Sequence, residues 1–157
     1  MRPEPGRPAR HALRARPGEV RRALGRLRPA LARLSPPGED PELAEIVLAE
    51  VLNNIVEHAG GPRGGARVAV ALWPAAAGIL CRVRDDGRPL PGHDLPAAAP
   101  PVPASLPEGG FGWVLIRGLT RDLAYRRRRG RNELVFTIPV TAGPAADPVR
   151  PRTEMVQ

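Results

Sequence analysis

Between residues 18 and 34 the apolar positions Val20, Leu24, Leu27, Leu31 and Leu34 recur at spacings of 4, 3, 4 and 3. That is one stripe of an amphipathic helix, with Arg21, Arg22, Arg26, Arg28 and Arg33 mainly elsewhere on its surface. Pro29 inside the stripe predicts a kink or an early break. A second helix is expected from Pro41 to His58, with Asp40 as N-cap and Pro41 at the first helical position. Its apolar positions include Leu43, Ile46, Val47, Val51, Ile55 and Val56, and Gly60–Gly61 would close it. The period then changes to two. Val68, Val70 and Leu72 alternate along Ala66–Trp73, and Ile79, Cys81, Val83 and Asp85 along the next strand, with Pro74–Gly78 turning between them. Asp85 thus ends a strand on its apolar side. A short strand at His11–Ala15, a short helix at Trp113–Leu119 and a last hairpin (Leu123–Arg127, Asn132–Pro139, turning at Gly130) complete the expected elements.

The stretch from Arg88 to Glu108 carries seven prolines among alanines and fits neither period. Inside a compact domain such a stretch is a lid, a binding loop or disorder. Residues 1–10 and 141–157 read as a disordered leader and tail, which leaves one domain over 11–140 in a chain of 157 residues. No apolar run approaches the roughly 20 residues of a membrane span. The Arg- and Pro-rich start is not followed by the apolar core of a secretory signal. Cys81 is the single cysteine, so an internal disulfide is impossible and a reducing, cytoplasmic setting is expected. The net charge of +8 arises wholly in residues 1–34, and no basic residue is Lys. The remainder balances, which ranks nucleic-acid binding as a minor alternative.

Three clusters can carry chemistry. Glu50 and Asn54 stand four apart on the second helix and therefore share a face, where a carboxylate and an amide oxygen could serve a proton and a Mg²⁺ beside one phosphate. Asp85, followed by Gly87, ends a strand where it can accept a hydrogen bond from an exocyclic amine while glycine admits a flat ligand. Gly110 and Gly112 precede a helix, whose free N–H groups suit an anion. With no Lys in the chain this is not a Walker loop, and without a preceding strand it is not a dinucleotide fingerprint. Each cluster alone also reads as ordinary structure: a solvated helix face, an Asp-Gly turn, a flexible link.

Their order is more telling. The segments LAEVLNNIVEHA, VRDDGRPL, GGFGWVLIRGLT and GRNELVF, in that sequence over about residues 12–140, resemble the GHKL ATP-binding superfamily, and within it the bacterial anti-sigma regulatory serine/threonine kinases. The resemblance implies an α+β two-layer sandwich, the histidine-kinase-like or Bergerat fold, in which helices cover one face of a mixed, mainly antiparallel sheet. It implies ATP and Mg²⁺ as cofactors. Glu50 matches the general base, Asn54 the Mg²⁺ ligand, Asp85 the reader of the adenine amine and Gly87 the residue that makes room for the base. Gly110 and Gly112 match the phosphate loop, residues 90–108 the lid, and Asn132 a polar contact near the nucleotide. The implied partners are an anti-anti-sigma protein as substrate and a sigma factor that is sequestered, with a homodimer as an open option. A nucleotide-dependent partner switch with little kinase activity is the alternative in the binding-module class. Trp113 stands where relatives usually have Leu, and the lid has Arg88 as its one cation. His58 reads as a helix-end residue, and His11, His93 and Cys81 lack metal-ligand spacing.

Overall fold

The alternating segments pair into one five-stranded sheet in the order β1-β2-β3-β5-β4. The computed structural model describes residues 6–39, 41–59, 65–96 and 111–139. In chain order these form β1 (Ala9–Arg14), α1 (Glu19–Leu34), α2 (Glu42–His58), β2 (Arg67–Ala75), β3 (Gly78–Asp85), a single 3-10 turn (Pro91–His93), α3 (Phe111–Leu119), β4 (Arg121–Arg128) and β5 (Arg131–Ile138). The N-cap expected at Asp40, the closing Gly60–Gly61, Gly110, most of the lid, the first five residues and the tail lie outside the described residues.

The sheet is α+β in the expected sense but not mixed: every pairing among the described strands is antiparallel. The connections explain this. Two hairpins join β2 to β3 and β4 to β5, and the α1–α2 excursion returns the chain beside β1 in the opposite direction.

Register puts apolar residues in rows across the helix-covered face. Val70, Val83 and Leu134 lie side by side, then Leu72, Cys81 and Phe136, then Ile79 and Ile138. All eight are buried against Leu27 and Leu31 of α1, Val47, Leu48, Val51 and Leu52 of α2, and Ile116 of α3. Each such side chain contributes about 1.5–3 kcal/mol when fully removed from water. At the other end the row Val68, Asp85, Asn132 turns polar while still facing the helices. Burial pushes the Cys81 thiol far above its ordinary range, so it is an inert core residue.

Three helical details differ from expectation. Pro29 neither kinks out nor ends α1, which runs unbroken from Glu19 to Leu34. Pro29 and Gly25, whose carbonyl loses its intrahelical partner, are both exposed, so that carbonyl is open to solvent rather than buried. In α2 the buried face is Ala44, Val47, Leu48, Val51 and Leu52, whereas Ile46 is 41% exposed. That helix is apolar nearly all round, so its neighbours rather than its pattern select the face. Pro41 occupies the cap position rather than the first turn.

Candidate functional site

The polar end of the sheet meets the C-terminal half of α2, and a cavity opens between them. Val51, Asn54, Ile55 and Ala59 of α2, Val83 and Asp85 of β3, and Asn132 and Leu134 of β5 form its walls; Pro89, Leu90, Trp113 and Tyr125 add apolar sides. The cavity proper is small, about 50 Å³, and opens to solvent. An apolar slot with a carboxylate at its floor suits a flat, largely apolar group bearing a hydrogen-bond donor.

Asp85 is 8% exposed, and both of its hydrogen bonds end on one oxygen: Gly87 N–H and Asn132 Nδ2 donate to Oδ1 at 2.9 and 2.8 Å. Oδ2 receives neither. Burial pushes the Asp85 carboxyl above its usual range, while those two hydrogen bonds and the Arg127 charge partly oppose the rise.

Asn132 uses its whole amide within the protein. Nδ2 donates to Asp85 and, at 2.8 Å, to the Arg88 carbonyl. Oδ1 accepts from Tyr125 OH and Arg127 Nη1, each at 2.7 Å. The same Tyr125 hydroxyl accepts from Leu90 N–H at 3.1 Å, and Arg127 also donates to the Gly87 carbonyl at 2.9 Å. With two donors and two acceptor sites filled, Asn132 has none left for a ligand. It holds Asp85 and the 87–90 loop in place. Gly87 also has a packing role: a Cβ there would lie 2.3 Å from Ala59 Cβ, so the glycine makes room for the end of α2.

Glu50 and Asn54 are half-buried on one face of α2. Gly112, in the first turn of α3, packs directly on them: a Cβ there would sit 2.9 Å from Glu50 Oε2 and 3.3 Å from Asn54 Oδ1. Asn54 Nδ2 is buried without a hydrogen-bond partner among the described residues. Leaving such a group unpaired costs about 1–3 kcal/mol, a strain expected where a ligand completes the site. Asn53 is exposed and faces the α1–α2 groove, so Asn54 is the amide that looks into the cavity. Asn54 and Asp85 therefore line one cavity, and Glu50 adjoins it through Gly112. His58 and Arg88 stand at its rim. Arg117 of α3 donates to the Pro96 carbonyl at 2.6 Å and so anchors the first part of the expected lid.

Two participants were not singled out from the sequence, Tyr125 and Arg127. The hairpin register about Gly130 places them opposite Leu134 and Asn132, on the face that carries Asp85. Alternation in the Arg-rich strand was the available signal, masked by four consecutive arginines at 126–129.

Residues 13–138 match the model of the histidine kinase-like ATPase domain. The chain belongs to this family. Serine/threonine-protein kinase BtrW of Bordetella bronchiseptica is 34% identical over 91 residues, which cover 56% of this chain and 63% of BtrW. The chain thus spans less than two thirds of that relative. Among solved structures, a histidine kinase domain of the Erythrobacter litoralis EL346 blue-light activated histidine kinase superposes with a TM-score of 0.47 at 22% identity, over 77% of this chain and 61% of that one. A second structure of that kinase gives 0.47 at 21% identity, over 77% of this chain and 42% of its own. A histidine kinase-like ATPase domain implies ATP binding.

Proposed function

We propose that this domain is a serine/threonine protein kinase that uses ATP to phosphorylate an anti-anti-sigma protein, and that it sequesters a sigma factor. The observation that carries the kinase reading is the packing of Gly112 on Glu50 and Asn54, beside the cavity floored by Asp85.

In this reading Asp85 Oδ2 accepts the adenine amine, and Val51, Ile55, Val83 and Leu134 enclose the ring. Guanine, with a carbonyl at that position, would oppose the carboxylate. The unpaired Asn54 amide can turn its oxygen inward and would offer Mg²⁺ a hard oxygen donor. The described residues contain no cluster of three or more His, Cys, Asp or Glu side chains, so such an ion would depend on phosphate oxygens for most of its shell. When bound, Mg²⁺–ATP supplies the transferable phosphoryl group and neutralises its charge. Glu50 takes the proton from the substrate hydroxyl, and the start of α3 orients the phosphates with its free N–H groups. BtrW, by its name a serine/threonine-protein kinase, supports the choice of acceptor.

The test is phosphoryl transfer from ATP to the anti-anti-sigma protein, with ATP affinity measured alongside by calorimetry. Glu50→Gln should slow transfer by about 10²–10⁴-fold, the range for loss of a general base, with ATP affinity nearly unchanged. Full transfer by Glu50→Gln would end the assigned mechanism. ATP binding without any transfer in the wild type would favour a nucleotide-dependent binding module instead.

A further inference from the structure

The sheet face turned away from the helices carries a surface that nucleotide chemistry leaves unused. Residues 35–157 balance in charge, yet folding sorts their arginines. Register brings Arg82 and Arg84 of β3, Arg126 and Arg128 of β4 and Arg131 of β5 onto this face, with Arg10 of β1. Arg129, in the hairpin turn, joins a recess that Arg84, Arg126, Arg128, Arg131 and Glu133 also line. Glu133 has both oxygens engaged, one by Arg84 Nε and the other by Arg126 Nη2. Burial alone would raise its carboxyl, but those hydrogen bonds and charges outweigh it and hold Glu133 below the usual carboxylate range. Partial burial lowers the Arg82 guanidinium, and the crowding charges of Arg84, Arg10 and Arg126 lower it further. Arg128, Arg129 and Arg131 are exposed around this centre.

Two features narrow what could bind. A contiguous recess along β4 has Ala124 and Val135 for its floor, with Tyr125, Arg126 and Glu133 around them, so the surface is part apolar. And β4, like β1 at the other end, closes the strand order, which leaves its outer backbone edge unpaired among the described strands. Along β4, Arg126 and Arg128 lie on the open face while Leu123, Tyr125 and Arg127 lie on the helix side. Charged side chains on an edge also deter indiscriminate pairing, and they deter a second copy of this like-charged edge most of all. Nucleic acid fits less well: the patch has a carboxylate at its centre, and Trp73, which could stack a base, already has Arg82 over its ring at 4.9 Å.

We infer that β4 is a docking edge for an extended acidic protein segment, which adds as a sixth strand with acidic residues over Arg126, Arg128 and Arg131 and apolar residues beside Leu123 and Tyr125. Main-chain hydrogen bonds to the free edge would supply affinity, and alternation of acid and apolar side chains would supply selectivity. The inference does not rest on the kinase reading, since the basic face that selects the partner lies across the sheet from the nucleotide cavity.

The probe is a fluorescein-labelled peptide of about ten residues that alternates Glu with Val, compared with an isomer that groups the same residues in two blocks. The alternating peptide should bind at low salt and slow amide hydrogen exchange on the free edge of Ala124–Arg128. Its affinity should exceed the isomer's and fall at least about tenfold in Arg128→Ser/Arg131→Ser. Thermal melting of that exposed double variant should match the wild type. Equal binding of the two isomers, indifference to the double variant or an unprotected edge would overturn the inference. So would displacement of the peptide by a single-stranded oligonucleotide of greater affinity, which would mark the face as a nucleic-acid surface.

Discussion

Asp85 depends on neighbours that its own sequence neighbourhood does not name. One oxygen is fixed by Gly87 and Asn132, and Asn132 is fixed in turn by Tyr125 and Arg127. Tyr125→Phe removes the hydroxyl shared by Leu90 and Asn132 and should cost about 1–2 kcal/mol in urea unfolding, with a few-fold loss of ATP affinity. The raised Asp85 carboxyl has two consequences of opposite sign. The folded state holds the protonated form more readily than the unfolded chain does. Asp85 therefore favours folding below its unfolded value of 3.8 and loses that contribution as pH rises through its folded value. Binding of a donor amine needs the ionised form, so it weakens as pH falls through the same raised value. Titrating the affinity for adenosine, which has no phosphate to protonate, should show an acid limb above the ordinary aspartate range. In Asp85→Asn affinity should be weak throughout and lack that limb. At this scale the types Glu50, Asn54 and Asp85 were legible, because spacing along a helix and alternation along a strand fix which residues share a face. The saturation of Asn132 and the use of Gly87 against Ala59 were not, because both are contacts between distant segments.

At the scale of elements, strand and helix positions followed from period, turn chemistry and length. The outcomes at Pro29 and in α2 did not. Proline inside a helix costs about 3 kcal/mol relative to alanine, yet α1 absorbs it on its exposed side. Pro29→Ala should therefore raise thermal stability, by up to about 3 kcal/mol, since no tertiary contact requires the ring. Gly78 behaves in the opposite way. It opens β3 with φ 143°, and a Cβ there would lie 2.0 Å from the Ile138 carbonyl oxygen. Gly78→Ala must displace the β5 backbone and should destabilise the protein by about 2 kcal/mol or more, read as a lowered urea midpoint. Local sequence gave no hint of that approach, because Ile138 lies 60 residues away on the neighbouring strand.

For the molecule as a whole, the cavity is a joint of α2, α3, β3, β4, β5 and the loop that follows β3. A ligand bound there ties those elements together, so ATP at about 100 times its Kd should stabilise the fold by about 2.7 kcal/mol. Thermal unfolding with and without ATP checks this, and Asp85→Asn should abolish most of the gain. The periodicities alone determined which segments are helices and strands, and the order of motifs alone determined the family, since both are properties of neighbours along the chain. Tertiary structure decided which face of α2 is buried, that Gly112 closes on Glu50 and Asn54, and that arginines from four strands gather on one open face although the chain beyond residue 34 is neutral in sum. Those outcomes follow from strand register and layer packing, which join residues tens of positions apart and leave no periodic trace in the sequence.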